Sequence, residues 1–249
     1  MKKSIKKVLS VVMCSALLFA IAPVGAFASE ANPVTSNLTV ENYCVTGDIN
    51  LSNVVQVKNN GIKTEEGKEI FSGSIGGEVS SKDLFESAYN RYLTDVKDKK
   101  IFIFPTFKNL RELVMFDYKE HFPTCTFKVK LPSNFVIDNI TADVNSTEMF
   151  SKVVHSIDTD TNEITFVFNL GNWDDYQGFF ARYEREKNDP SHKTIVNIDY
   201  HVDVTGNSNT NLGYITASGY CKLYKGGRIN KNKQLVDITA TEISKPVIR

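Results

Sequence analysis

The chain has 249 residues, its 29 Lys and Arg residues are balanced by 29 Asp and Glu residues, and 41% of its residues are hydrophobic. This length is sufficient to bury a substantial core in one large domain or two small ones. The lack of a basic excess excludes general nucleic-acid binding, in which a strongly basic face dominates the affinity.

The N-terminus has the three parts of a secretory signal peptide. Four lysines within residues 1–7 precede an uncharged apolar run over 8–21, and Ala26-Phe27-Ala28 follows a Pro/Gly break. The run is short for a membrane-spanning helix, so we predict a cleaved signal peptide over 1–28. Removing it takes away four basic and no acidic residues, which makes the mature chain mildly acidic.

We therefore expect a secreted, extracellular protein with no transmembrane segment after cleavage. The C-terminal sequence contains neither an apolar tail nor a wall-sorting motif. Any association with the cell surface is expected to be non-covalent.

In chain order, strand patterns occupy 38–46, 50–57, 70–79 and 101–104. Residues 81–96 carry apolar residues at helical spacing behind the capping pair Ser80 and Asp83, which predicts a helix. A second helix is predicted over 172–187. The remaining strands are predicted over 124–131, 136–144, 149–157, 163–170, 194–205, 212–224 and 234–243.

About seven short strands with regular turn signals are typical of an immunoglobulin-like sandwich. We predict a mainly β protein, an immunoglobulin-like antiparallel β-sandwich with two short amphipathic helices. The strand–helix–strand order occurs twice, which hints at two related units. The predicted division is an N-terminal β-rich unit with one helix over 29–122 and a C-terminal β-sandwich with one helix over 123–249.

Three cysteines remain after cleavage: Cys44, Cys125 and Cys221. Export permits a disulfide, and the odd number leaves at least one cysteine outside any bridge within the chain. Alternation places Cys125 and Cys221 on apolar strand faces, where they either form a bridge or serve as small buried hydrophobic residues. The sequence leaves this open. No Cys/His spacing indicates zinc, and we predict neither a metal nor a cofactor.

The strand over 214–224 carries the strongest binding pattern. One of its faces presents tyrosines, hydroxyls and a lysine, and a basic hairpin follows. Tyrosine and lysine side chains can hold a glycan or a protein partner. The alternative is that the second helix covers this face and makes it a second core layer. The candidate ligand-binding residues are Tyr214, Tyr220, Lys222, Tyr224, Lys225 and Arg228.

Two acidic patterns provide candidate chemistry. Asp199, His201 and Asp203 alternate onto one strand face, where they could support a secreted hydrolase. A solvated polar face is the more ordinary interpretation. Residues 158–162 offer oxygen donors of the kind that calcium prefers, although Asp and Asn are also standard turn residues. Because no catalytic motif accompanies either pattern, we predict no catalytic residues and favour a non-enzymatic protein.

The C-terminal half also resembles a known class of module. Three features carry the resemblance: a first strand that ends in Leu-Pro, an aromatic helix between strands, and a late strand that begins with glycine. The first strand is Thr126-Phe127-Lys128-Val129-Lys130-Leu131-Pro132, and the late strand is Gly213-Tyr214-Ile215-Thr216-Ala217-Ser218-Gly219. These features resemble the β-sandwich modules of Gram-positive surface adhesins. The resemblance implies a non-enzymatic, adhesin-like binding or structural module of the cell surface or matrix, whose partner is a cell-wall polymer, a glycan or a host protein.

Overall fold

The structure, a computed structural model, describes residues 35–41, 44–103, 105–112, 124–170, 175–224 and 234–249. Its larger sheet has seven strands in the spatial order β1-β2-β13-β12-β7-β10-β9. All neighbours in this sheet are antiparallel except β2 and β13, which run parallel. The strands are β1 (Thr35–Glu41), β2 (Cys44–Ile49), β7 (Thr124–Lys130), β9 (Phe150–Asp158), β10 (Glu163–Leu170), β12 (Asn211–Tyr224) and β13 (Gln234–Ile248).

A smaller antiparallel sheet has the order β3-β4-β11-β8. Its strands are β3 (Gln56–Glu65), β4 (Lys68–Ser80), β8 (Val136–Asn145) and β11 (Lys193–Asp203). A separate hairpin consists of β5 (Lys100–Ile103) and β6 (Thr106–Asn109), followed by a short 3₁₀ helix, Leu110–Glu112.

Two-residue periodicity determines which face of each sheet is buried. Along β11 every second residue from Thr194 to Val202 is buried, and β10 alternates in the same way from Ile164 to Leu170. The buried faces of the two sheets face each other, since a cavity between them is lined by Val196 of β11 and Ile238 of β13. The prediction of a mainly β sandwich with two helices is thus confirmed.

The two helices begin where their sequences provide caps. In α1 (Ser81–Asp95), Ser80 Oγ accepts a hydrogen bond from the Asp83 backbone N–H at 3.0 Å and donates one to the Asp83 carboxylate at 2.8 Å. In α2 (Tyr176–Glu186), the Asp175 carboxylate accepts a hydrogen bond from the Gly178 N–H at 2.7 Å. Helix α1 matches its predicted bounds to within one residue, whereas α2 begins at Tyr176, four residues after the predicted start, because Asp175 caps it.

The helices pack against each other through aromatic rings. Tyr92 of α1 stacks on Phe180 of α2 with 4.5 Å between ring centroids, and Phe85 meets Phe179 edge-on at 5.1 Å. This aromatic cluster also reaches the larger sheet, because Phe85 contacts the Phe150 ring of β9. The helices therefore complete the core where they cover the inner face of the larger sheet.

The first part of the chain departs from the predicted strands. Residues 51–54 form a turn in which the Leu51 carbonyl accepts hydrogen bonds from Val54 and Val55, where a strand over 50–57 was predicted. The observed strand is β3, which the sequence pattern missed. Both sheets combine strands from the two sides of residue 123, so the segments on either side share sheets and a core.

The predicted signal peptide over 1–28 lies outside the described residues and stays a prediction.

Candidate functional site: the outer face of the larger sheet

The tyrosine-bearing side of β12 is exposed to solvent. The exposed fraction is 56% for Tyr214 and 38% for Tyr220, while Ile215, Ala217 and Cys221 are buried on the opposite side of the strand. We call this surface the tyrosine face. It comprises Tyr214, Thr216, Ser218, Tyr220 and Lys222 of β12 together with Lys128 and Lys130 of β7.

The β7 lysines join the tyrosine face because β7 pairs with β12. Thr216 lies opposite Lys130 and Ser218 opposite Lys128 in the ladder. Lys130 is exposed, and Lys128 forms an ion pair with Glu163 of β10 with 2.7 Å between Nζ and Oε1. The hydrogen bond to Glu163 raises the pKa of Lys128, which keeps this ammonium group protonated.

Lys222 sets the local charge around Tyr220. Its Nζ lies 5.8 Å from the centroid of the Tyr220 ring and 3.6 Å from a carboxylate oxygen of Asp237 on β13. The lysine side chain remains partly exposed. The tyrosine face thus combines two accessible aromatic rings with the ammonium groups of lysines on two neighbouring strands. Two of these lysines, Lys128 and Lys222, each have a carboxylate partner.

The second helix does not cover the tyrosine face. A small apolar cavity of about 40 Å³ lies between the helices and the larger sheet, and its lining includes Tyr176 and Phe180 of α2 together with Cys221 and Leu223 of β12. These two β12 residues point away from the tyrosines. The helix therefore packs against the inner face, and the alternative of a second core layer over Tyr214 and Tyr220 is wrong.

Three of the six predicted ligand-binding residues have described side chains: Tyr214, Tyr220 and Lys222. The backbone of Tyr224 ends β12. The side chain of Tyr224, and Lys225 and Arg228 entirely, lie outside the described residues.

Asp199, His201 and Asp203 share the outer face of β11, as predicted, but each has its own partner. His201 Nδ1 lies 2.5 Å from an Asp138 carboxylate oxygen, and Asp203 pairs with Lys68 at 3.5 Å. Asp199 accepts a hydrogen bond from Asn197 at 2.8 Å.

A hydrogen bond from Thr205 lowers the pKa of Asp203, so this carboxylate is ionised over the physiological range. Neither apolar cavity is lined by Asp199, His201 or Asp203. These contacts hold the three groups as separate surface pairs rather than as one acid/base unit.

The acidic stretch 158–162 is a β-turn. Asp158 accepts hydrogen bonds from the N–H groups of Asp160 and Thr161, and its pKa is lowered mainly by a hydrogen bond from the Thr161 hydroxyl. Asn162 adopts a left-handed conformation and donates two hydrogen bonds to the carbonyls of Pro132 and Phe135. The Asp and Asn side chains thus satisfy the turn itself, as their frequent use in turns predicts.

Within the ranges that the structure covers, no group of three or more His, Cys, Asp or Glu side chains is arranged to hold a metal ion. Over the same ranges, neither helix is long and apolar enough to cross a membrane.

No protein-family model and no curated protein sequence matches the chain. Among solved structures, it is similar to domains D2 and D3 of the major pilin SpaD of Corynebacterium diphtheriae, with 10% identity and a TM-score of 0.29 over 77% of this chain and 50% of that chain. It is similar to BcpA, the major pilin subunit of Bacillus cereus, with 13% identity and a TM-score of 0.31 over 78% of this chain and 39% of that chain.

A third similarity is to a collagen adhesin of S. aureus, with 10% identity and a TM-score of 0.22 over 80% of this chain and 81% of that chain. The chain thus spans half or less of the length of the two pilin chains.

Proposed function

We propose that this chain is a secreted, non-catalytic binding module of the bacterial cell surface or matrix, and that the tyrosine face is its binding surface. The observation that supports the proposal is the exposure of Tyr214 and Tyr220 beside lysines on an open sheet. The proposed ligand is a glycan-containing polymer with anionic groups, such as a cell-wall polymer.

The shape of the face favours an extended ligand. Tyr214 and Tyr220 are six residues apart on one strand, which corresponds to roughly 20 Å at the rise of a β-strand. Each ring offers an apolar surface and a hydroxyl, so the two can contact separate sugar units of one chain. Because the rings stand on a paired strand in the middle of a sheet, little backbone ordering is needed on binding.

The lysines add a charge preference. Ammonium groups beside the rings attract an anionic polymer from solution over about a Debye length, roughly 8 Å at physiological ionic strength. Lys128 and Lys222 are partly neutralised by their ion pairs with Glu163 and Asp237. Lys130 is exposed and forms no ion pair among the described contacts, although its charge helps to lower the pKa of Asp158. We therefore expect affinity to decrease with added salt but not to vanish, because ring contacts remain.

The test is retention on a purified cell-wall fraction. Tyr214→Ala combined with Tyr220→Ala should reduce retention at least about tenfold, which corresponds to roughly 1.4 kcal/mol. Lys130→Ala should reduce it less and should weaken its salt dependence. The matched control combines Ile62→Ala and Lys63→Ala on β3, where both residues are exposed on the smaller sheet.

Retention by the double tyrosine variant equal to that of the wild type would remove the tyrosine face as the binding surface. Equal losses in the tyrosine and β3 variants would also contradict the proposal. Circular dichroism spectra of all variants establish that they fold.

A further inference from the structure

Cys125 and Cys221 face each other across two paired strands. In the antiparallel ladder between β7 and β12, Cys221 lies directly opposite Cys125, and the ladder shows no irregularity at that position. Directly opposed residues in such ladders have Cα atoms about 4.5–5.5 Å apart, which lies within the range spanned by disulfides. The backbone thus already places the two cysteines at bridging distance.

The surroundings of the pair leave room for a bridge. Both cysteines line an apolar cavity of about 130 Å³ between the two sheets, together with Phe127, Phe168 and Val196. The space lets the two sulfur atoms adopt the torsion angle of a disulfide without displacing packed neighbours. A hydrogen bond between the two thiols, together with burial, raises the pKa of Cys125.

Sheet topology excludes the other two pairings. Cys221 lies opposite Ile238 of β13, and Ile238 lies opposite Gly47 of β2, three residues along the strand from Cys44. Cys44 is therefore two strand spacings and three residues along the strand from Cys221, about 14 Å, and about 17 Å from Cys125. Cysteines whose Cα atoms are more than about 7 Å apart cannot be bridged without backbone movement.

We propose that Cys125 and Cys221 form a cross-strand disulfide in the exported protein, with Cys44 outside the bridge. The two thiols lose two protons and two electrons as the Sγ–Sγ bond forms. The oxidant is a disulfide-bearing molecule of the extracellular compartment, whose own S–S bond is cleaved to two thiols by exchange through a mixed disulfide.

The burial of the pair determines when the bridge forms. Exchange requires a thiolate that the oxidant can reach, and the folded protein restricts both, because Cys221 is buried, Cys125 is half-buried, and the neighbouring thiol and burial disfavour ionisation of Cys125. Oxidation is therefore faster while the chain folds after export than in the folded protein. Once closed, the bridge is shielded from reductants by the same cavity walls and joins the two central strands that carry the tyrosine face.

The test uses the Cys44→Ser variant, secreted into the medium by a bacterial host, so that Cys125 and Cys221 are the only cysteines of the mature chain. The protein is denatured with iodoacetamide before any reductant is added, and its intact mass is measured. The expected result is no alkylated cysteine before reduction and two after reduction. The tryptic peptides that contain Cys125 and Cys221 should be found linked.

Two alkylated cysteines before reduction, in a folded and secreted sample, would overturn the proposal. In the wild-type protein, a linked peptide joining Cys44 to either partner within one monomer would overturn it as well. Cys125→Ala in the same Cys44→Ser background provides the control, since its remaining cysteine should be alkylated without reduction. The outcome is independent of the proposed function, because the assay measures no ligand binding.

Discussion

The strongest single test of the packing concerns Glu186, the last residue of α2, whose side chain is fully buried. One carboxylate oxygen accepts hydrogen bonds from the backbone N–H groups of Glu148 and, at 2.8 Å, Met149. The other accepts one from the Thr147 hydroxyl at 2.7 Å. The carboxylate therefore holds the connection between β8 and β9 against the helix.

Glu186→Ala removes both acceptor oxygens and with them all three hydrogen bonds. The Met149 N–H also donates to Thr147 Oγ1 at 3.0 Å and keeps that acceptor, so only the Glu148 N–H is left without one. A hydrogen bond to a charged group is worth about 1.5–3 kcal/mol and an unsatisfied donor costs about 1–3 kcal/mol, so we expect a loss of about 2–4 kcal/mol in the free energy of unfolding. Glu186→Gln keeps a carbonyl oxygen for the two N–H groups and lets its amide donate to Thr147. It should therefore cost only about 1–2 kcal/mol.

The assay is urea unfolding followed by circular dichroism, with Glu184→Ala as the control on the same helix. Glu184 is exposed and its ion pair with Lys187 spans three residues of the helix, so its removal should cost about 0.5 kcal/mol or less. The reasoning is refuted if the free energy of unfolding of Glu186→Ala lies within about 1 kcal/mol of that of Glu184→Ala, a difference too small for the loss of three hydrogen bonds to a buried carboxylate.

Four further predictions concern other parts of the fold. Tyr200→Phe should leave stability unchanged or raise it by up to about 1 kcal/mol in the same urea assay, because the buried hydroxyl has no hydrogen-bond partner among the described residues. Gly73→Ala should destabilise by about 1–3 kcal/mol, since its Cβ would lie 2.7 Å from that hydroxyl; a neutral result would contradict this packing. Ser80→Ala should cost about 1 kcal/mol through loss of the hydrogen bond to the Asp83 N–H, and an unchanged helix signal and midpoint would contradict the cap. The fourth prediction concerns acid: side-chain hydrogen bonds lower the pKa of four surface carboxyl groups below their ordinary values of 3.8 and 4.5. The stability that these groups add is present above the ordinary values and is lost as the pH falls from there through the lowered pKa values. Thermal midpoints measured between pH 7 and 3 should be flat above about pH 5 and then fall, whereas a decline between pH 7 and 5 would point to other groups. The four groups are Glu148, Asp158, Asp189 and Asp203.

Strands that are buried on one face could be predicted closely from the sequence. Ile164, Phe166 and Phe168 alternate with polar residues, and the observed β10 matches the predicted strand over 163–170. Strand β3 was missed because it is an edge strand paired only with β4, and most of its residues are exposed. Its Asn59-Asn60-Gly61 stretch has turn composition, and Gly61 occupies a left-handed conformation where the ladder is irregular.

For the candidate site, alternation alone placed Tyr214, Tyr220 and Lys222 on one side of β12. The neighbouring strand and the covering of this face depend on residues that are distant in sequence. No local sequence pattern encodes these contacts. The pairing of β12 with β7 brings Lys128 and Lys130 to the face, and the packing of α2 on the inner side leaves it open. The sequence likewise could not select among the three possible cysteine pairings, because the distances between the cysteines depend on the order of the strands in the sheet.

The parallel pairing of β2 with β13 determines how this module would respond to mechanical tension. Residues 45–49 run alongside residues 236–240 in the same direction. A force applied between the chain before β2 and the chain after β13 shears these two strands along their length. The hydrogen bonds between them are then loaded together rather than opened one at a time, which is the geometry that resists rupture best.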